Sequence, residues 1–118
     1  MSDPASHDPQ SLFTPVDAPG GATTVYTSPT GTDTRGTRLS RLWVCNHTGA
    51  AVAYTLHHVA SGGAVGPTNM IYSALVIPAG ETFPLLEGIM LDPGDFLSHF
   101  ASVAGAISVH AYGWEQSN

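Results

Sequence analysis

The feature of this sequence that most restricts its fold is a succession of short β-rich segments separated by turn sequences. Ser28-Pro29-Thr30-Gly31 and Asp92-Pro93-Gly94-Asp95 place proline and glycine where turns require a fixed or a positive φ. The intervals between such turns leave no room for a long amphipathic helix and suit a β-sandwich or barrel. We therefore predict an all-β fold, an antiparallel β-sandwich. Its predicted strands are 22–28, 38–46, 51–59, 69–77, 82–88, 96–103 and 106–114.

Alternation of side chains assigns faces to these strands. In 51–59, Val52, Tyr54 and Leu56 fall on one side, which we expect to be buried. The same alternation in 106–114 groups Ile107, Val109 and Ala111. Segment 69–77 is apolar on both sides, so we predict burial of both, either against another subunit or under a long connection. Pro84 cannot donate a ladder hydrogen bond, which makes 82–88 an edge strand or a bulged one.

The first residues of the chain differ in composition from the rest. Residues 1–21 are rich in proline and aspartate and close with Gly20-Gly21, so we predict an extended arm there and a sandwich domain over 22–118. Leu12 and Phe13 are the apolar pair of the arm. We expect them to enter a groove of a partner, in which case removing the arm leaves the melting temperature unchanged. The alternative is that they pack back onto their own domain.

The low charge of the chain excludes some classes of partner. Charged residues make up 10% of the sequence, against about 25% in a typical soluble domain. There is no lysine, and three arginines face nine acidic residues, giving a net charge of −6. Binding to phosphates requires clustered cations, so we predict neither a nucleic acid nor an anionic membrane as partner. Weakly charged surfaces favour an assembly, and we expect a homo-oligomer.

No residue pattern points to catalysis. Six histidines occur, but His57 and His58 are adjacent in a predicted strand and must point to opposite faces. Asp92 and Asp95 flank a turn, which they are expected to cap rather than to bind calcium. Cys45 lies within an apolar strand and is interpreted as a packing residue. We predict no catalytic residue, no metal, no cofactor and no enzymatic activity.

Aromatic side chains leave a sugar-binding role open. Such a role requires exposed rings, and most of the aromatic residues fall in predicted strands, where packing is the commoner use. The available residues are Tyr26, Trp43, Tyr54, Tyr72, Tyr112 and Trp114.

Several runs between residues 22 and 115 resemble a known group of proteins. They are Val25-Tyr26-Thr27-Ser28-Pro29 with Gly31-Thr32, Leu42-Trp43-Val44-Cys45-Asn46, Ile77-Pro78-Ala79-Gly80-Glu81-Thr82, Leu91-Asp92-Pro93-Gly94-Asp95 and Gly113-Trp114-Glu115. The pattern resembles small β-sandwich virion structural proteins of tailed bacteriophages, of the capsid decoration (cement) type. The resemblance implies a jelly-roll-like homotrimer that binds the major capsid protein or other virion proteins.

The resemblance also implies that the chain is located in the virion. The N-terminal residues show no secretory signal, so we expect synthesis in the host cytoplasm. The alternative is a receptor- or carbohydrate-binding module of a phage tail or fibre tip. We predict that Leu12, Phe13, Met70 and Tyr72 contact the partner.

Overall fold

Nine β-strands form two antiparallel sheets in the computed structural model, which describes residues 10–117. Each strand predicted from the sequence is confirmed, with ends that differ by a few residues. A single-turn 3-10 helix, Pro67–Asn69, precedes the sixth strand. The strands are β1 (Gln10–Ser11), β2 (Val16–Asp17), β3 (Thr23–Thr27), β4 (Thr34–Asn46), β5 (Val52–Val59), β6 (Met70–Ile77), β7 (Thr82–Leu91), β8 (Phe96–Ala101) and β9 (Ile107–Ser117).

The strand order is that of a jelly roll. In one sheet β9 pairs with β1 and β2 on one side and with β4 on the other, and β7 lies beyond β4. The second sheet has the order β3-β8-β5-β6. When β1 and β2 are taken as two parts of one strand, successive strands alternate between the sheets except for β5 and β6. This is the double-sheet arrangement of jelly rolls, and the predicted antiparallel, jelly-roll-like sandwich is confirmed.

The core lies between the two sheets, where the predicted alternation places it. Val52, Tyr54 and Leu56 of β5 are all buried, each with no more than 3% of its surface exposed. The apolar positions predicted for β9 are buried opposite them: Ile107, Val109 and Ala111. Burial of a large aliphatic side chain contributes about 1.5–3 kcal/mol, so these inner faces hold the sandwich together.

One glycine allows the central strands β4 and β9 to approach closely. A Cβ atom at Gly113 would lie 2.0 Å from the carbonyl oxygen of Arg38 in β4. Because that obstacle is backbone, any side chain at this position would push the two strands apart.

A buried asparagine fastens the end of β4 to the second sheet. The Asn46 amide nitrogen donates to the carbonyl oxygens of Ala50 and Ile77, at 2.8 and 2.9 Å. Its carbonyl oxygen accepts from the amide and the hydroxyl of Thr48, at 3.0 and 2.7 Å. Asn46 is fully buried, so its side chain fixes both the β4–β5 turn and the end of β6.

The sandwich begins earlier than the sequence analysis predicted. β1 and β2 pair with β9, the Leu12 amide donates to Ala111 O, and the Ala18 amide donates to Ile107 O. Ala18 is fully buried in the core. The sandwich therefore includes residues from Gln10 onward, and not only those from residue 22. The reason is that β9 offers backbone groups for pairing, which the composition of the predicted arm, residues 1–21, does not reveal. Residues 1–9 of that arm lie outside the described residues.

A bulge explains the mixed pattern predicted for 69–77. Tyr72 pairs with Leu56 and Leu75 pairs with Tyr54, so two residues of β6 stand opposite one of β5. One of these two residues is Ala74, which has a φ of 50° and whose amide donates to the Thr55 hydroxyl at 3.0 Å. The bulge turns the apolar residues on either side of it toward the core.

The prediction for Pro84 is confirmed. β7 is the edge strand of its sheet, and its register with β4 shifts next to Pro84. Among residues 10–117, no helix is long and apolar enough to cross a membrane.

Candidate binding surfaces

Two of the four predicted partner-binding residues lie at the edge formed by β1, β2 and β3, which we call the closed edge. Leu12 and Phe13 are partly buried and pack against the core. The Phe13 ring lies 6.4 Å from the ring of Tyr26 in β3, at an angle of 36°. This is the packing that the sequence analysis left as the alternative to partner contact.

The other two residues lie at the opposite edge, formed by β6 and β7, which we call the open edge. The Tyr72 hydroxyl donates to the carbonyl oxygen of Leu85 and so joins β6 to β7. Met70 is 37% exposed and Val76 is 58% exposed. The structure therefore does not bring the four predicted residues together, since each pair occupies its own edge.

A third surface, which we call the aromatic groove, lies on the outer face of the five-stranded sheet. Leu42 and Val44 point into the core, so the residues that alternate with them point outward. A groove of about 280 Å³ opens there. It is lined by Arg41 and Trp43 of β4, Thr82 and Pro84 of β7, and Tyr112 of β9.

The rings at this groove are fixed by one another. The His110 imidazole stacks against Trp43, with centroids 5.2 Å apart and planes within 7°. Tyr112 meets Trp43 edge-on, at 5.9 Å and 70°. Trp43 and Tyr112 are both among the aromatic residues considered from the sequence, but their proximity was not predicted. The signal for it is that both alternate with buried residues, in strands that pair.

Two other aromatic residues considered for sugar binding, Tyr26 and Tyr54, are buried in the core. The Tyr26 hydroxyl donates to the Glu115 carboxylate at 2.6 Å, and burial together with this carboxylate raises the pKa of Tyr26. The Tyr54 hydroxyl lies 2.9 Å from Nδ1 of His99, and burial raises the pKa of Tyr54. Both side chains are buried and present no ring to a ligand.

The turn at residues 92–95 is capped, as predicted. The Asp95 carboxylate accepts from the amides of Asp92 and Ser61, both at 3.1 Å, and lies 3.0 Å from Nε2 of His58. Burial acts to raise the pKa of Asp95, but the hydrogen bonds from His58, Ser61 and Asp92 outweigh it and hold this pKa below its usual value. The carboxylate thus ties the turn to the end of β5.

The histidines are dispersed. His57 and His58 point to opposite faces of β5, as adjacent strand residues must, and Nδ1 of His57 is buried without a hydrogen-bond partner. His99 is buried in the core, and burial lowers its pKa to about 4. Within residues 10–117, no group of three or more His, Cys, Asp or Glu side chains lies close enough to hold a metal ion.

No protein-family model matches the chain, and no curated protein matches it. Among solved structures, the chain is similar to one in the structure of infectious bursal disease virus, Gx strain, with 12% sequence identity and a TM-score of 0.43. The similarity covers 95% of this chain and 29% of the viral chain, so this chain spans less than a third of the length of that neighbour. The jelly-roll assignment rests on the strand order alone.

Proposed function

We propose that the chain is a non-catalytic structural protein of a virion, of the capsid decoration type found in tailed bacteriophages. It acts as a homotrimer seated on the outer shell, where it binds the major capsid protein. The observation that carries the proposal is the open edge, because it offers an uncharged strand for contact with another protein.

The chemistry of β6 supports a contact at this edge. β6 pairs with β5 on one side and is the last strand of its sheet on the other. Met70 and Val76 are exposed, and the strand Met70–Ile77 contains no charged residue. Proteins usually protect a free edge strand with charges, since its unpaired backbone groups otherwise attract another chain. A strand without that protection is suited to a subunit or shell interface.

The architecture and composition agree with this role. Jelly rolls are used by viral capsid and lectin domains, in which loops and sheet faces make contacts. A chain with 10% charged residues has few charges to desolvate when much of its surface is covered in an assembly.

The location is tested on virions from a host that carries this sequence. Quantitative mass spectrometry is expected to find the chain at a copy number comparable with that of the shell subunit. A few copies per particle would instead indicate a tail or fibre tip and would contradict decoration.

The contact is tested on shells that lack the chain. The purified protein is expected to bind them saturably as a trimer that assembles through the open edge, and the variant Met70→Ser/Val76→Ser, which loses the avidity of that trimer, is expected to bind about tenfold more weakly. Val103→Ser is the matched control, because Val103 is 53% exposed but lies in the β8–β9 turn. If Met70→Ser/Val76→Ser binds the shells as tightly as Val103→Ser does, the open edge is excluded as the contact.

A further inference from the structure

The aromatic groove has the composition of a small-molecule site. Ligand sites combine apolar and aromatic walls with a few polar groups that orient the ligand. Here Trp43, Tyr112 and Pro84 supply the walls, and Arg41 and Thr82 supply hydrogen-bonding groups. The volume of about 280 Å³ is near the lower end of such sites, which suits one small ring.

The walls are preorganised. Trp43 is held between two neighbours, since His110 stacks on it and Tyr112 meets it edge-on. In the sheet, Trp43 stands opposite His110 on β9 and opposite Pro84 on β7. A ligand entering beside Pro84 therefore meets rings whose rotamers are already restricted, which lowers the entropy lost on binding.

The charge at the groove is balanced. A guanidinium nitrogen of Arg41 lies 3.4 Å from the Glu87 carboxylate, and the two side chains are 48% and 66% exposed. A charged ligand would have to displace this pair, and an anion would also meet the net charge of −6. The groove therefore favours a neutral ligand that uses both planar groups for hydrogen bonds.

We propose that the aromatic groove binds a neutral saccharide, with one pyranose ring placed against Trp43 and Tyr112. A pyranose presents C–H bonds on its face and hydroxyl groups around its rim, so its face packs on the rings. Its hydroxyls accept from Arg41 and donate to Glu87, in the planar geometry that a guanidinium favours. This binding goes beyond the proposed function, because the groove lies on the sheet that does not contain β6.

The test measures sugar binding by the isolated protein, so its outcome does not depend on a virion. The probes are the methyl glycosides of glucose, galactose and N-acetylglucosamine, observed by saturation-transfer NMR. At least one is expected to bind saturably with a Kd of about 1 mM, as single sugars with few contacts do. The methyl glycoside of sialic acid, which is anionic, is expected to bind more weakly.

Variants assign the binding to the groove. Trp43→Leu is expected to abolish the signal, and Arg41→Gln, an exposed change that preserves the ring contacts, to weaken it about tenfold. Trp114→Phe is the matched control: Trp114 follows Tyr112 on β9 but does not line the groove. This control also leaves Trp43 as the sole tryptophan of the chain, so its fluorescence reports sugar binding directly.

Three results would overturn the proposal. The first is the absence of saturable binding by all three neutral glycosides. The second is unchanged binding by both Trp43→Leu and Arg41→Gln, with their fold confirmed by thermal unfolding. The third is saturable binding of a proline-rich peptide, but of no sugar, at the groove, since aromatic grooves also accept polyproline helices.

Discussion

At the closed edge, the N-terminal segment lies along β9 and packs Phe13 against β3, whereas at the open edge β6 and β7 end their sheets with apolar residues exposed. Two strands of two residues each are enough to close the first edge, because the Leu12 and Ala18 amides donate to β9 and extend each pairing by one residue. The open edge is interrupted by the bulge at Ala74 in β6 and by Pro84 in β7, and β7 also carries the exposed Glu87. The closed edge thus contributes to folding, and the open edge remains available for association.

The largest expected effect is that of removing the closed edge. Deleting residues 1–21 removes β1, β2, the buried Ala18 and the contacts of Leu12 and Phe13 with the core. We expect the free energy of unfolding to fall by about 4 kcal/mol, since two partly buried large side chains and several backbone hydrogen bonds are lost. Urea unfolding measures this. Deletion of residues 1–9 is the control because it keeps those contacts, and equal stability of the two truncated chains would contradict the prediction.

The second effect is a dependence of stability on pH, originating at His99. Burial lowers the pKa of His99 to about 4 in the folded chain, and the unfolded value is about 6.5. The unfolded state therefore binds the proton first. The contribution of neutral His99 to the free energy of unfolding is fully present above about pH 6.5. It is lost as the pH falls toward about 4, and the loss is on the order of 3 kcal/mol.

Two variants separate His99 from the other histidines. His99→Gln is expected to flatten the dependence between neutral and mildly acidic pH, while His110→Gln, on the outer face, is expected to retain it. Denaturant midpoints across this range provide the measurement. Parallel losses in the wild type and His99→Gln would show that another group is responsible.

Smaller losses of stability are expected for single substitutions at the two edges. Phe13→Ser removes a half-buried ring that packs on Tyr26 and is expected to cost about 1–2 kcal/mol. Met70→Ser changes a more exposed side chain at the open edge and is expected to cost less than about 0.5 kcal/mol. Thermal unfolding of both variants measures the difference. A larger loss of stability for Met70→Ser than for Phe13→Ser would contradict the prediction.

The smallest effect on stability is expected for Val76→Lys, together with a clear effect on association. Val76 is 58% exposed, so lysine fits without repacking, while its charge protects the edge. The wild type is expected to form trimers in sedimentation at high protein concentration, and the variant to remain a monomer of 12.2 kDa. A wild type that stays monomeric at all concentrations would exclude self-association in solution through this edge.

The sequence predicted the strands well because their signals are local. Alternation marked the core faces of β5 and β9, and Pro84 marked an edge, since both follow from backbone geometry within one segment. The closed edge was not predicted, because the pairing of β1 and β2 depends on which groups of β9 are free in the folded sandwich. Because Leu12 and Phe13 pack against the core, we expect removal of the arm to lower the stability and not to leave it unchanged.

The aromatic groove was hidden for a related reason. Trp43 and Tyr112 are far apart in the chain, and only the register between β4 and β9, with Arg41 opposite Tyr112, brings them side by side. Periodicity shows that each ring points outward, but no local signal in the sequence specifies that register.

The burial of Asn46 has a consequence for producing the protein. Asn46-His47-Thr48 has the spacing of an N-glycosylation acceptor, and a glycan would be attached to the same amide nitrogen that donates to Ala50 and Ile77. The folded chain offers no access to this nitrogen, so modification is possible only before folding. A glycan added then would prevent the side chain from entering its buried position. Expression through a eukaryotic secretory pathway is therefore expected to yield misfolded, glycosylated chains. The variant Thr48→Ala would avoid this, at the cost of the hydrogen-bonding contacts of the Thr48 hydroxyl with Asn46 and Ala50.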